Sequence, residues 1–316
     1  MATSATSGPT GPTDLDNRPH SALAPSGFSD ISTGRKARNA TATVVIYATM
    51  GLAILPLVWV LFVLVQRGVP ALLSVDWWVF DMFGQLSNVA GGGIVHAVIG
   101  TLTQVAVTTV ISVPVGIFTA VYLVEYSRGG WLGRMTTFMV DILTGVPSIV
   151  AALFVYAMWI TMFGFERSGF AVSLSLVLLM VPVIVRNTEE MLRIVPMDLR
   201  EAAYALGVPK WKTIVRIVLP TALSGIVTGV MLAVARVMGE SAPVLILVGA
   251  TPVINWNVFD GNQSSLPLFM LEMYKLQASD EVLSRLWGAA FTLVILIGAL
   301  NVGARIISNK FSIKSS

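Results

Sequence analysis

Long apolar runs follow one another along most of this sequence and limit the folds that it can adopt. A helix that crosses the hydrocarbon core of a bilayer needs about 20 consecutive apolar residues. The runs begin after residue 40 and comprise residues 43–66, 93–126, 132–163, 171–185, 217–238 and 286–307. The sequence therefore predicts an all-α integral membrane protein with six transmembrane helices.

The composition argues against several other classes of protein. Of the 316 residues, 55% are hydrophobic and 12% are charged, whereas about 25% of the residues of a typical soluble domain are charged. The chain has no cysteine and only two histidines, His20 and His96, so thiol chemistry is excluded and no metal site is predicted. The net charge of +3 gives no reason to expect a nucleic-acid partner.

The N-terminal segment differs from the rest of the chain. Residues 1–40 are rich in Ser, Thr, Pro and Gly and have few large apolar groups. Such a composition cannot offset the entropy of ordering a chain, so we predict a disordered cytoplasmic tail. Residues 41–316 form the predicted transmembrane domain.

The distribution of basic residues predicts the orientation in the membrane. Most Lys and Arg residues lie in segments on the same side as the N-terminus. The four on the opposite side are Arg67, Arg167, Lys275 and Arg285. Since cytoplasmic loops carry the excess of Lys and Arg, both termini are predicted to be cytoplasmic.

Three of the runs have unusual lengths. Runs 93–126 and 132–163 are longer than one straight span needs, so they are expected to tilt, to project from the bilayer, or to bend at Pro114 and Pro147. Run 171–185 is short, and its helix is expected to continue toward Glu190.

The loop between the fourth and fifth runs, residues 197–216, has a specific pattern. In the sequence MDLREAAYALGVPKWKTIVRIVLP (197–220), Glu201-Ala202-Ala203 belongs to a predicted short amphipathic helix that ends at Gly207. Tyr204 and Trp211 are available there as contact groups. The pattern predicts a short helix exposed on the cytoplasmic side.

The same loop resembles the EAA motif of ATP-binding-cassette (ABC) importer permeases. That motif is Glu-Ala-Ala, three residues, Gly, nine residues, and Ile-x-Leu-Pro, and residues 201–220 match it. In that family the loop is a coupling helix that fits a cleft of a separate ATPase. The resemblance therefore implies that the coupling residues are Glu201, Ala202, Ala203, Tyr204, Gly207 and Trp211.

Further segments resemble the phosphate-specific permeases of this superfamily. They are GGGIVHAVIGTLTQV (91–105), PVGIFTAVYLVEY (114–126), ILTGVPSIVAALF (142–154), VRNTEEMLRIVP (185–196) and ARVMGESAPVLILVGAT (235–251). The resemblance implies an ABC type I importer permease fold and a location in the bacterial cytoplasmic membrane. It also implies a homologous second permease that completes the pore, two ATPase subunits and an extracytoplasmic phosphate-binding protein.

The chain itself is predicted to be a transport subunit and not an enzyme. It contains no G-x-x-x-x-G-K-[ST] phosphate loop, the backbone cradle for nucleotide phosphates. ATP and Mg²⁺ are therefore expected in the partner ATPase, and no cofactor is expected in this chain.

Two charges lie within the apolar stretch AVARVMGESAPV (233–244). Because a charge at the bilayer centre costs at least about 2.5 kcal/mol, Arg236 and Glu240 must be compensated by pairing, water or function. Either Arg236 pairs with Glu240 or Asp141, or it binds the transported anion through its fork of donors. Gly239 and Pro243 predict a helix break beside them.

A second charged group lies at the end of the fourth run. Arg186 and Glu189 are three residues apart and share a helix face. They form either an interfacial salt bridge or an exit gate that opens to a passing anion. Asp141 is expected to pair with an arginine or to lie along the substrate path.

Two rival functions share some of these features. A permease for molybdate, sulfate or phosphonate would carry the same EAA loop and differ around Arg236. A channel or secondary transporter works without ATP and has no use for that loop. Secondary transporters often show internal inverted repeats, and we find none in this sequence. Co-purification with an ATPase separates the two classes.

Overall fold

The computed structural model describes residues 33–86, 89, 91–127, 129–276 and 279–311, with side chains described as far as Ile306. The predicted disordered tail falls outside these residues except for 33–40. That part is helical, because its Arg and Lys residues favour a helix and extend the first span toward the N-terminus.

Within the described residues the secondary structure is entirely helical. The helices are α1 (Thr33–Leu72), α2 (Val75–Val79), α3 (Val95–Val121), α4 (Trp131–Gly145), α5 (Ser148–Val155), α6 (Gly169–Ile194), α7 (Met197–Ala205), α8 (Lys210–Thr213), α9 (Leu219–Met238), α10 (Ala242–Leu247), α11 (Leu266–Lys275) and α12 (Asp280–Phe311). Three π-helical turns, Tyr122–Tyr126, Tyr156–Met162 and Ile214–Val218, continue α3 and α5 and precede α9.

Five of the described helical stretches are long and apolar enough to cross a membrane. They are Thr33–Leu72, Val95–Tyr126, Gly169–Ile194, Lys210–Met238 and Asp280–Ile306. A bent pair, Trp131–Gly145 with Ser148–Met162, is long and apolar enough when its two helices are taken together, and it makes a sixth span if the pair is counted as one. The predicted extension of the short fourth run is confirmed, since α6 continues to Ile194.

The bent pair explains the unusual length of the third run. Its two helices meet at an angle of 108°, as expected at Pro147, whereas α3 continues through Pro114. Val146 is extended, with φ −72° and ψ 125°, because the residue before a proline avoids the helical region. Each half is too short to cross the bilayer alone.

The chain separates into two units, residues up to Trp59 and residues from Val60 onward. The first contributes the start of α1, whose apolar side chains are exposed. In the second, α6 is the central helix and packs against α3 and α9. Small residues allow this close approach: a Cβ on Gly116 would come within 2.6 Å of Ile184, and one on Gly229 within 1.7 Å of the Asn187 side chain.

Candidate functional site

Helix α7 contains the Glu-Ala-Ala sequence and ends at Ala205, two residues before the predicted stop at Gly207. Gly207 has a φ of +76°, which glycine adopts without the steric cost that a Cβ brings. Its N–H donates to Tyr204 O at 2.9 Å, and Val208 N–H donates to Ala203 O at 3.0 Å. These two bonds form a Schellman motif, which satisfies carbonyls at the end of the helix and fixes the direction in which the chain leaves it.

The predicted coupling residues lie mostly on an open surface. Glu201, Ala202, Tyr204, Gly207 and Trp211 are exposed, and Trp211 exposes 62% of its surface. Apolar neighbours widen this surface, which we call the α7 surface; they are Ile194, Met197 and Leu206.

Ala203 differs from the other predicted coupling residues because it is only 4% exposed. It therefore contributes to the packing of α7 against the rest of the chain. Its small side chain allows that packing, while Glu201 and Ala202 beside it face outward.

The opposite side of α7 holds a buried ion pair that sequence reasoning missed. Arg200 donates through Nε and Nη2 to Glu125 Oε1, at 3.1 and 3.0 Å. It also donates to the carbonyl oxygens of Val195 at 2.7 Å and Leu192 at 2.9 Å. The two side chains are 8% and 6% exposed. The only sequence signal was a single carboxylate, Glu125, at the end of a long apolar run.

Lys210 of α8 reaches the same place. Its Nζ donates to the backbone oxygen of Glu125 and lies 4.8 Å from the centre of the Tyr126 ring. The segment that leads into α9 is thereby joined to the end of α3.

Arg236 lies near the end of α9, where the predicted break is confirmed. The helix ends at Met238, Gly239 follows it, and α10 begins at Ala242. Arg236 is exposed and Glu240 is half-buried. Within the described residues no ion pair joins either of them to another side chain.

The exposed face of α9 carries several polar side chains. Thr221, Ser224 and Thr228 are exposed, as is Arg236, and Leu232 on the same face is 66% exposed. At 100° per residue these positions fall within an arc of about 120°. A cavity of about 570 Å³ adjoins the part of this face nearer α7. Its polar lining residues include Asn187, Ser224, Thr228, Asn301 and Arg305.

The remaining predicted residues form one ion-pair network between α4 and α6. Arg186 pairs with Asp141 and, through Nη1, with Glu189 Oε2 at 2.8 Å. Arg193, which was not predicted, pairs with Glu189 Oε1 at 2.5 Å. Asp141 therefore has Arg186 as its partner and not Arg236. Two arginines and two carboxylates balance each other in charge, and Glu189 is the most buried of the four side chains.

Among the described residues no three His, Asp or Glu side chains come together as a group able to hold a metal ion. The site consists of helices, ion pairs and the exposed guanidinium of Arg236. Such groups can bind a ligand and can rearrange when the helices move.

Comparison with known proteins identifies the class. A family described as the binding-protein-dependent transport system inner membrane component matches residues 112–312. The fold is similar to the solved MetNI methionine ABC transporter, with a TM-score of 0.55 and 19% identity over 69% of this chain and 94% of that one. A bacterial ABC transporter for alginate import gives a TM-score of 0.52 at 15% identity, over 87% and 99% of the two chains.

The named relatives are more specific. Phosphate transport system permease protein PstA of Mycobacterium leprae is 53% identical over 86% of this chain and 89% of its own length. PstA 1 of Mycobacterium tuberculosis H37Rv is 51% identical over 89% and 90%, and PstA of Yersinia pestis is 37% identical over 87% and 92%. The chain belongs to the binding-protein-dependent ABC importer permeases and, within them, to the PstA-type permeases. The predicted fold class is confirmed.

Proposed function

We propose that this chain is the transmembrane permease subunit of an ATP-driven phosphate importer and forms half of its translocation pore. The names of its relatives support phosphate as the substrate. The structural observation that carries the proposal is Arg236, an exposed guanidinium on the polar face of α9 with no ion-pair partner among the described residues.

An arginine in this position is suited to an oxyanion. Its guanidinium stays charged and presents parallel N–H donors that match two phosphate oxygens. A charge that faces hydrocarbon would be costly, and the exposed Thr221, Ser224 and Thr228 lie on the same side of the helix, which supports a position of Arg236 on a hydrated path. Arg236 therefore binds the passing anion.

Glu240 has a separate role in this proposal. Its carboxylate accepts a hydrogen bond from the protonated oxygen of hydrogen phosphate. Sulfate has no such proton at neutral pH and meets only repulsion, so Glu240 discriminates between two anions of similar size and shape.

The network of Asp141, Arg186 and Glu189 serves as a gate. In the closed network each charge is neutralised by a neighbour within the protein. A phosphate that arrives beside Arg186 competes with the two carboxylates for its donors, and the network opens as the anion passes.

The α7 surface is the contact for a separate ATPase. This surface offers an exposed mixture of polar and apolar groups from Glu201, Ala202, Tyr204, Gly207 and Trp211. Ala203 is buried beneath them and packs α7 against the rest of the chain. ATP and Mg²⁺ are held by that partner, of which the importer has two copies. This end of the spans and both termini face the bacterial cytoplasm.

The remaining partners follow from the same proposal. A homologous second permease completes the pore, and an extracytoplasmic binding protein delivers phosphate to the end of the spans opposite α7. ATP binding closes the ATPase pair and draws the two coupling helices together. The pore then opens outward to receive phosphate at Arg236, and hydrolysis resets it.

Uptake of labelled phosphate into vesicles that contain the whole complex tests the proposal. Uptake should require ATP and the binding protein, and excess sulfate or molybdate should not compete. Glu201→Lys should lose the ATPase or its coupling, while Glu190→Lys, at an exposed carboxylate of α6 outside the α7 surface, serves as the control. Uptake that proceeds without ATP, or competition by sulfate as strong as that by phosphate, would contradict the proposal.

A further inference from the structure

The buried pair of Glu125 and Arg200 belongs neither to the polar face of α9 nor to the α7 surface. It lies on the covered side of α7, where Arg200 and Glu125 are 8% and 6% exposed. Burying two charges is costly, and a pair of apolar side chains would often stabilise the same place as well or better. A buried ion pair thus calls for an explanation other than stability.

We propose that Arg200 and Glu125 are positioning residues that join the coupling helix to the ends of α3 and α6, so that ATPase-driven displacement of α7 moves these spans with it. The inference rests on the proposed docking of α7 to a separate ATPase. Neither residue contacts the transported anion, and both act through the helices that they hold.

The geometry of the guanidinium supports this role. Nε and Nη2 bind Glu125 of the turn that continues α3, while Nη1 and Nη2 bind the carbonyls of Val195 and Leu192 at the end of α6. These donors lie in one plane at fixed angles. One side chain therefore sets the relative position of three segments: the end of α3, the end of α6, and α7 itself.

Lys210 supplies a second connection. Its Nζ donates to the backbone oxygen of Glu125 and lies over the Tyr126 ring. Lys210 begins α8, from which the chain continues through a π-helical turn into α9. Displacement of α7 is thus passed to α3, α6 and the start of the helix that carries Arg236.

A positioning role and a stabilising role predict different losses. A stabilising pair, when weakened, lowers the amount of intact complex and leaves the transport of each surviving complex unchanged. A positioning pair, when weakened, leaves the α7 surface able to hold the ATPase and lowers the phosphate moved for each ATP hydrolysed.

The first experiment compares Glu125→Gln and Arg200→Lys in the whole reconstituted complex, with Glu190→Gln, at an exposed carboxylate of α6 outside the α7 surface, as the matched control. Gln keeps the shape and an acceptor oxygen but removes the charge, so Arg200 keeps a hydrogen-bond partner and the variant should fold with reduced stability. We expect the complexes that assemble to retain the ATPase and uptake per ATP to fall about ten-fold, because the remaining hydrogen bond lacks the charge that makes it roughly twice as strong. Arg200→Lys keeps the charge but not the planar set of guanidinium donors, so its uptake per ATP should lie between the values for Glu125→Gln and the wild type.

The second experiment measures the movement directly. The chain has no cysteine of its own, so spin labels can be placed outside the α7 surface, at Leu199 of α7, which is 40% exposed, and at Phe118 of α3, which is 72% exposed. With cysteines of the partner subunits replaced, the distance between the labels should stay the same when the complex is trapped with ATP. In Glu125→Gln the same trapping should change or broaden it.

The outcomes separate the two levels of the inference. Wild-type uptake per ATP in Glu125→Gln, or a label distance that changes in the wild type on trapping, would overturn the positioning role while the ATPase contact stands. If Trp211→Glu and Glu201→Lys retained the ATPase and full coupling, docking at the α7 surface would itself be wrong.

Discussion

Arg200 and Arg236 have the same side chain in opposite situations. Arg200 is buried and donates to a carboxylate and to two backbone oxygens. Arg236 is exposed, and among the described residues no carboxylate pairs with it. Arg236 lies about 26 Å along α9 from Leu219, the first residue of that helix and the end nearer α7. The difference indicates that Arg200, which is buried and bonded within the chain, holds structure, whereas Arg236 is available to a ligand.

The comparison is tested most strongly by Arg236→Ala. The variant should assemble with normal stability, because no interaction within the described chain is lost, yet phosphate uptake should fall at least about 30-fold, as when a buried anion loses its charged partner. Uptake of labelled phosphate and the yield of purified complex measure the two effects. The control is Arg216→Ala, since Arg216 is an exposed arginine at the other end of the same span, and this variant should transport normally. Normal uptake by Arg236→Ala would show that Arg236 is not the anion site.

Arg200→Met should show the reverse, a loss of stability. Removing one member of a buried pair leaves the Glu125 carboxylate without its partner and costs about 3–5 kcal/mol. Thermal unfolding of the detergent-solubilised complex measures it. Arg193→Met is the matched control, since Arg193 is 68% exposed and its partner Glu189 keeps Arg186. The expected loss of stability is at most about 1 kcal/mol. Equal melting temperatures for the two variants would show that burial of Arg200 does not matter.

Glu240→Gln tests whether Glu240 has a role in anion selection that is separate from the binding role of Arg236. An amide can still accept a hydrogen bond, but it no longer repels a fully ionised anion. We expect phosphate uptake to persist at a reduced rate and sulfate to become a competitor, because the discrimination lost is of the order of 1–3 kcal/mol, or about 10- to 100-fold. Competition measurements at neutral pH provide the readout. Unchanged exclusion of sulfate together with intact phosphate uptake would show that Glu240 has no part in selectivity.

A smaller effect is expected at the end of α7. Gly207→Ala places a Cβ on a residue with φ +76°, which costs about 1–2 kcal/mol, although no atom outside the turn lies within 4 Å of that Cβ. The melting temperature should fall modestly. Gly145→Ala is the control, because that Cβ also meets no neighbour within 4 Å and its φ is not positive. Equal stability of the two variants would argue against strain at Gly207.

The smallest predicted effect is a pH dependence at Glu272 of α11. Burial raises the pKa of Glu272, and Lys275 opposes the shift. A raised pKa means that the folded state keeps the proton longer than the unfolded chain, so this contribution to stability is present at low pH and is lost as pH rises through the folded pKa. Between about pH 4 and neutrality the wild type should lose slightly more stability than Glu272→Gln. His96 and Arg285 line the same cavity, and they are the same in both proteins, so their titration cancels in the comparison. If Glu272→Gln lost more stability than the wild type over this pH range, the raised pKa of Glu272 would be excluded as the cause.

The features that the sequence predicted are those encoded locally. The helix end near Gly207, the break after Arg236 and the bend at Pro147 each depend on residues within a few positions of one another. The pairing of Glu125 with Arg200 joins residues 75 positions apart, and that of Asp141 with Arg186 spans 45. Helical periodicity states which face a charge occupies but not which other helix meets that face, so these partners needed the packed structure. Arg193 lies four residues after Glu189 and could have been predicted from helical spacing.

The bend between α4 and α5 has a consequence for assembly. Gly145 and Pro147 at the bend are exposed in the isolated chain, and the last carbonyls of α4 have no following turn of helix to bind. Hydrocarbon cannot satisfy such backbone groups, so irregular backbone at membrane depth is tolerated only against protein or water. If the bend lies within the hydrocarbon, it therefore has to be covered by another protein segment or by water.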